Sequence, residues 1–567
     1  MERAFWKEGV VYQIYPISFK DSDGDGHGDL RGILEKLDYL QGLGVTMLWL
    51  GPVCKSPMED YGYDVSDYYE INEPFGTMED FEELLREVHA RGMKLFMDLV
   101  INHTSDQHAW FQQASSSREH PRRSYYIWKD GVAGAEPNNW MSFSEESAWK
   151  LDEQTGQYYL RIFDVTQPDL NWEHAPMRHE MYEMIRYWLD KGIDGFRLDA
   201  INILSKEPGF PDAPAEDPHP RGQRYFKNGP KVHDYLQELH TEVFSRYENI
   251  VTVGEAPSIS MEEAVRYSAP ERKELSMVLL MEMIGMDVER GNPWKVRSWR
   301  LQELKDIVNR WSKEVFGKGW YGTYLSNHDH PRMLPRYGAD GELRELSGKM
   351  LATFLHTIPG TPFMYQGEEL GMTNVKFSSI QDYRDKNTLG FYKRMVEEEG
   401  ASEQEVLDMI QARSRDSART PMQWSAEAQA GFTSGTPWIP VNDNYKDINS
   451  EESMKRPDSL FHYYRRLIAL RKEQPVLAYG NFNMLLEDEE HIMCYTRTYK
   501  EKTWLVLLNF ADHEVTTRWP EGWKRDSGQA VAVLGNYEGL PAVEERGLLK
   551  LKPFEAVIVE GETRAFR

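Results

Sequence analysis

The chain has 567 residues, 40% of them hydrophobic, with a formal net charge of −26 and two cysteines. A chain this long divides into two or three domains. Its acidity argues against nucleic acid or an anionic membrane as partner and suits a neutral ligand. Cys54 and Cys494 define no disulfide framework, the first residues show no basic-then-apolar leader, and no run of eighteen apolar residues occurs. A soluble cytoplasmic protein with no membrane span is therefore expected.

Residues 9–19 read as a first buried strand. The acidic loop behind it places Asp21, Asp23, Asp25 and Asp29 at positions 1, 3, 5 and 9, with the His27 carbonyl at 7. That is EF-hand spacing for a hard cation, although Gly32 stands where the bidentate Glu belongs. One structural Ca²⁺ or Mg²⁺ is expected there, with a solvated acidic turn as the alternative. Residues 30–43 have helical spacing and stop at Gly44. Residues 45–50 form a second strand, and the loop after it holds Asp60-Tyr-Gly-Tyr-Asp64. A helix over 78–89 and a strand over 94–100 continue the alternation of a parallel sheet.

Residues 104–173 break that rhythm. They are polar and rich in Trp and Tyr, and they read as a subdomain inserted on the ligand side. His108 within them reads as a solvated loop residue. Helix 175–190 leads to the strand 193–200, where Arg197 and Asp199 alternate with Phe196, Leu198 and Ala200. The Pro/Gly-rich stretch 207–230 reads as a rim or lid, with Tyr225 and Phe226 anchoring it. Helix 231–245, strands 250–255 and 277–283, helix 301–316, and strands 320–325 and 360–365 bring the strands to eight. The pattern predicts a (β/α)8 TIM barrel. Beyond about residue 480 the texture turns to short alternating runs, as in Thr503-Trp-Leu-Val-Leu-Leu-Asn-Phe, which predicts an antiparallel β-sandwich. The expected division is barrel 1–103, insertion 104–173, barrel 174–479 and β domain 480–567.

Three carboxylates, Asp199, Glu255 and Asp329, fall at or near the C-terminal ends of barrel strands. A barrel gathers those ends around one cavity. Carboxylates with divided roles are what glycosidic cleavage needs, one ionised and one carrying a proton. Arg197 shares a strand face with Asp199 and would hold it ionised. His103 and His328 are donors for sugar hydroxyls. A catalytic metal is disfavoured because Arg197 would repel it, and no G-x-S-x-G elbow or dinucleotide fingerprint is present.

Several ordered motifs then carry a resemblance. They are Asp98-Leu-Val-Ile-Asn-His103, Gln167-Pro-Asp-Leu-Asn171, Gly195-Phe-Arg-Leu-Asp199, Val253-Gly-Glu255, Asn327-His-Asp329 and Ser414-Arg-Asp-Ser-Ala-Arg-Thr-Pro-Met-Gln-Trp424. Over essentially its whole length the chain resembles the α-amylase superfamily (glycoside hydrolase family 13), in its oligo-1,6-glucosidase and α-glucosidase branch. The resemblance implies Asp199 as nucleophile, Glu255 as general acid/base and Asp329 on the 2- and 3-hydroxyls. It implies Arg197, His103 and His328 in the glucose shell, Asp60 paired with Arg415 on the pocket floor, and Tyr63 stacked beneath the ring. Phe163 and Gln167 would line the aglycone side. No catalytic cofactor is implied, and the acidic loop matches the branch's metal site.

Ala200 follows the nucleophile position. In the branch a valine there accompanies α-1,6 preference, and smaller residues accompany α-1,4. The implied function is a retaining exo-α-glucosidase acting on short malto-oligosaccharides, monomeric or a weak homodimer. Alternatives are an oligo-1,6-glucosidase, a sucrose isomerase, a trehalose-forming enzyme and, in another class, a non-catalytic sugar-binding protein.

Overall fold

The structure is a computed structural model. It describes residues 2–561 apart from 145, 219, 290, 521–522, 524–530 and 544–547. Eight strands close into a barrel whose ring order is chain order: Val11–Ile14, Met47–Leu50, Lys94–Leu99, Gly195–Leu198, Val251–Gly254, Met277–Leu279, Tyr321–Thr323 and Thr361–Tyr365. Strand three pairs with four, four with five, five with six, seven with eight, and eight with one, all in parallel. Nearly every strand residue is buried, which is why these segments read as apolar runs rather than alternating ones.

Local chemistry sets the element boundaries. Strand one stops at Ile14 because Pro16 opens a short 3₁₀ turn. Helix Met78–Ala90 begins with a capping box, Thr77 accepting from Asp80 N–H and Asp80 answering to Thr77 N–H. Helix Leu37–Leu43 ends at Gly44, whose φ of 98° suits glycine.

The chain divides into two compact units. One comprises Asp29–Leu34 and Leu48–Leu279 and carries barrel strands three to six and the insertion. In it, Trp128–Lys129, Gln157–Leu160 and Trp149–Asp152 form a three-stranded antiparallel sheet. Trp140, Trp149, Leu160, Ile162 and Phe226 share one hydrophobic cluster with Ala200 and Ile203. Phe226 is fully buried and Tyr225 stacks on Trp140 at 6.0 Å. Residues 207–230 are therefore pinned by their aromatic pair, as expected.

The other unit comprises Met1–Gly28, Glu35–Met47 and Leu280–Arg567, with barrel strands one, seven and eight. Its C-terminal part holds a five-stranded antiparallel sheet ordered Asn481–Leu485, Ile492–Tyr499, Lys502–Asn509, Ala556–Gly561, Val531–Gly535. A smaller sheet joins Val515–Arg518, Leu548–Leu551 and Ala542–Val543. Ile492, Cys494, Leu505 and Val557 of the first sheet share a core with Leu549 and Leu551 of the second. Among the described residues no helix is long and apolar enough to cross a membrane.

Candidate active site

Gly195 opens barrel strand four with φ of 143°, and a Cβ there would lie 1.8 Å from the Val251 carbonyl oxygen. Glycine thus lets strands four and five approach closely, and those strands end in Asp199 and Glu255. Between the two carboxylates stands Arg197, 1% exposed. Its Nη1 reaches Asp199 Oδ1 at 2.5 Å and Asp98 Oδ1 at 2.7 Å, and its Nη2 reaches Glu255 Oε2 at 2.7 Å. Burial pulls the guanidinium pKa down, but Glu255, Asp98 and Asp199 together hold it well above its ordinary value. One permanent cation therefore binds both strand-end carboxylates. Glu255 also accepts from the Ala200 backbone N–H at 3.1 Å. Asp98 is fixed in turn by the Trp49 indole at 3.0 Å and the Tyr63 hydroxyl at 3.3 Å.

Beside this cluster the same unit collects five of the expected ligand residues. His103 Nε2 contacts the Tyr63 carbonyl and Gln167 Nε2, each at 3.2 Å, and its ring lies 4.8 Å from Phe163. Burial lowers the His103 pKa, so the ring is neutral. Gln167 donates onward to Asp60 Oδ2 at 3.1 Å. The Asp60–Tyr63 turn needs Gly62, at φ of 101°, where a Cβ would meet Pro52.

The C-terminal unit builds a second cluster after barrel strand seven. Gln13 Nε2 donates to His328 Nδ1 at 2.7 Å, which leaves Nε2–H to face Asp329 Oδ2 at 3.1 Å. The His328 ring stacks on Tyr15 at 5.5 Å. Asp329 Oδ1 accepts from Arg415 at 3.2 Å and Arg419 at 3.1 Å. Burial pushes the Asp329 carboxyl up, and His328, Arg415 and Arg419 more than reverse that, holding it well below the aspartate range. Arg415 also grips Asp385 Oδ1 through Nε at 3.0 Å and Nη2 at 2.5 Å.

The α-amylase catalytic domain model matches residues 13–480, and the maltogenic amylase C-terminal domain model matches residues 482–558. The chain is a member of the α-amylase family of glycoside hydrolases. It is 51% identical to the oligo-1,6-glucosidase of Parageobacillus thermoglucosidasius, over 98% of this chain and 99% of that one. It is 44% identical to the trehalose-6-phosphate hydrolase of Bacillus subtilis (strain 168), over 98% of each. Among solved structures it matches the trehalose-6-phosphate hydrolase of Bacillus licheniformis at a TM-score of 0.93 and 46% identity, over 98% of this chain and all of that one. The trehalulose synthase of Pseudomonas mesoacidophila MX-45 matches at 0.93 and 40%, over 99% and 100%. An oligo-1,6-glucosidase, trehalose-6-phosphate hydrolases and a trehalulose synthase thus all fall among its relatives, and none of those named here carries a maltose-specific title.

Against this α-amylase family background, three sequence expectations need comment. His108 is not a solvated loop residue. It is 6% exposed and caps helix Ala109–Ser116 by accepting from Trp110 N–H, and burial pushes its pKa down to about 4. Ala200 does not continue the strand but turns into the left-handed region at φ 44°, ψ 41°, with its side chain in the insertion's hydrophobic cluster. In the acidic loop, Asp21, Asp23 and Asp29 bring carboxylate oxygens within 4.8 Å of one another. Asp25 stands outside that group and accepts from His27 N–H at 2.7 Å.

Asp98, Asp385 and Arg419 were not among the expected site residues. Asp98 opens a quoted motif and Arg419 lies inside another. Asp385 sits in Asp385-Lys-Asn-Thr388, whose sequence signal is a helix N-cap, and it does cap Lys386–Tyr392 by accepting from Thr388.

Proposed function

We propose that this glycoside hydrolase is a retaining exo-α-glucosidase releasing α-glucose from short α-glucosides. The observation that carries the reading is the single guanidinium of Arg197 bound to both Asp199 and Glu255. Asp199 attacks the anomeric carbon while Glu255 gives its proton to the departing oxygen. Glu255 then takes a proton from water, which attacks the glucosyl-enzyme. Both carboxylates are bound to Arg197 at the start, and Glu255 enters the first step carrying the proton it gives up. Asp329, kept ionised by two arginines and oriented by His328, accepts hydrogen bonds from sugar hydroxyls. His103, neutral, and Arg415 add further contacts, with Asp60, Tyr63, Phe163 and Gln167 around the ring and aglycone.

The linkage reading rests on Ala200. Its side chain lacks the γ-methyls of valine, which leaves room beside the nucleophile for a directly linked second ring and favours α-1,4. A second reading, α-1,6 preference, is favoured by the names of three relatives at 47–51% identity and by the seating of Ala200 in the hydrophobic cluster. The ratio of kcat/KM for maltose to that for isomaltose decides between them. A contact of this size shifts discrimination by about 1–3 kcal/mol. Maltose is expected ahead. Isomaltose ahead establishes the second reading, and hydrolysis of neither removes both.

Asp21, Asp23 and Asp29, two of them buried, suit a hard cation such as Ca²⁺ or Mg²⁺. The His27 carbonyl completes the set we propose, with a structural role, and Asp25 is left out of it. The buried, unpaired Cys54 and Cys494 suit a reducing cytoplasm. The division at 103, 173 and 479 and a monomeric or weakly dimeric state belong to the same reading.

A further inference from the structure

Barrel strand one, Val11–Ile14, carries a single amide side chain, Gln13, and buries it almost completely. A buried amide costs stability unless it is hydrogen-bonded. Its Nε2 lies 2.7 Å from His328 Nδ1. An amide nitrogen can only donate, so Nδ1 accepts and carries no proton. The other ring nitrogen, Nε2, lies 3.1 Å from Asp329 Oδ2. Arg415 and Arg419 both donate to Oδ1 of that carboxylate and keep it ionised. An ionised carboxylate only accepts, so Nε2 must donate. The two contacts together admit one state of the ring, neutral with its proton on Nε2. The opposite tautomer would turn a lone pair on Asp329, and an imidazolium would set its second N–H against the Gln13 amide.

The rest of the ring's seat fixes its position but not its proton. Tyr15, two residues after Gln13, stacks on the imidazole at 5.5 Å with the planes 15° apart. Tyr15 N–H is itself held by Gln366 Oε1 at 2.8 Å. Arg419 Nε donates to the His328 carbonyl at 3.0 Å. Among these contacts only the Gln13 amide addresses Nδ1. We propose that Gln13 is a positioning residue for the glycosidic reaction, holding His328 as a neutral ring with its one N–H aimed at Asp329. This rests on the reading of Asp329 as the acceptor of sugar hydroxyls. The Asp329 side chain is 29% exposed, and His328 shares its Oδ2. A neutral N–H there orients the carboxylate. An imidazolium would bind it about twice as strongly, and the hydroxyls would have to compete with that bond.

Neutron diffraction from crystals of the intact chain exchanged into D₂O locates the ring deuterons directly. The expected result is deuterium on His328 Nε2 and none on Nδ1. Gln13→Glu sets an acceptor at the same place and should give deuterium on both nitrogens. Its kcat/KM, on the better of maltose and isomaltose, should fall about tenfold, with KM rising more than kcat falls. Gln13→Met keeps the length of the side chain and removes the donor, and should cost about three- to tenfold in the same direction. A Gln13 that only packs the strand would lower Tm in both variants and leave the deuterium pattern and KM where they are. Deuterium on Nδ1 of the parent overturns the proposal. So does a folded Gln13→Glu enzyme with the parent's KM and kcat. The reading of Asp329 fails separately: full turnover by Asp329→Asn would remove its role on the sugar, whereas the ring's deuterium pattern is read without any sugar bound.

Discussion

Asp385 shows how a site residue can be hidden behind a commonplace local role. Its carboxylate is 1% exposed and serves as helix cap to Thr388 and as clamp on Arg415. Burial pushes it up, and Arg415 and Arg419 bring it below the aspartate range. Asn also caps helices, so Asp385→Asn isolates the charge. Removing one partner of a buried pair costs about 3 kcal/mol. Arg415, no longer held, should then raise KM more than it lowers kcat. Urea midpoints and steady-state kinetics on the variant check this, and unchanged stability and KM would remove Asp385 from the site. The sequence shows an Asp three residues before a Thr, which is enough to read a cap. It offers nothing to show that Arg415, 30 residues on, folds back to it. Asp199, Glu255 and Asp329 were legible as candidates because carboxylates at the C-terminal ends of several apolar strands meet around one cavity in a barrel. The Arg197 bridge to Glu255 was not, because it joins neighbouring strands 58 positions apart.

Elements were legible where a period or cap spoke and obscure where the backbone departed from it. Ala200 is the clear case. Alternation treats it as the next strand residue, whereas the backbone leaves the strand after Leu198 and enters the left-handed region. Nothing in an alanine announces that turn. His108 was obscured in the same way, because polar neighbours suggested a loop tip and its ring instead caps a helix. Its pKa of about 4 lies below the ordinary histidine value of about 6.5. Between those values the unfolded chain binds a proton that the folded chain does not, so stability falls as pH drops from about 6.5 to about 4. The His108 share is at most about 3 kcal/mol. His356, pushed down to about 3 by burial, adds to the same slope. Asp329 does not contribute in that window, because its depressed carboxyl loses its stabilising effect only at more acid pH. His108→Asn keeps a cap acceptor and deletes the titration. Urea midpoints at pH 7 and pH 5 should lie closer together in the variant than in the parent. An identical difference would mean that His108 is charged in the folded chain.

At the scale of the molecule, eight short apolar strands alternating with helices were enough to predict the barrel, because parallel strands need crossovers and the crossovers show their own period. The sixth strand was the hardest to read, and Met277–Leu279 is only three residues long. The acidic loop is held by its own backbone and by a later segment of the chain: Asp21 accepts from Gly24 and Gly26 N–H, and Asp21 N–H donates to the Phe432 carbonyl. A cation held by Asp21, Asp23 and Asp29, as proposed, would stabilise the fold by mass action. Chelation should therefore lower Tm while the rate per folded molecule stays unchanged. Loss of rate at full folding would mean a catalytic ion instead. The family assignment leaves hydrolysis with retention as the central claim, since it requires Asp199 to attack carbon and Glu255 to act on both halves of the reaction. Two inversions restore the starting configuration. The direct measurement is ¹H NMR of the anomeric proton in the first seconds of maltose cleavage, before mutarotation. α-Glucose is the expected first product from the non-reducing end, and β-glucose appearing first would contradict the double displacement.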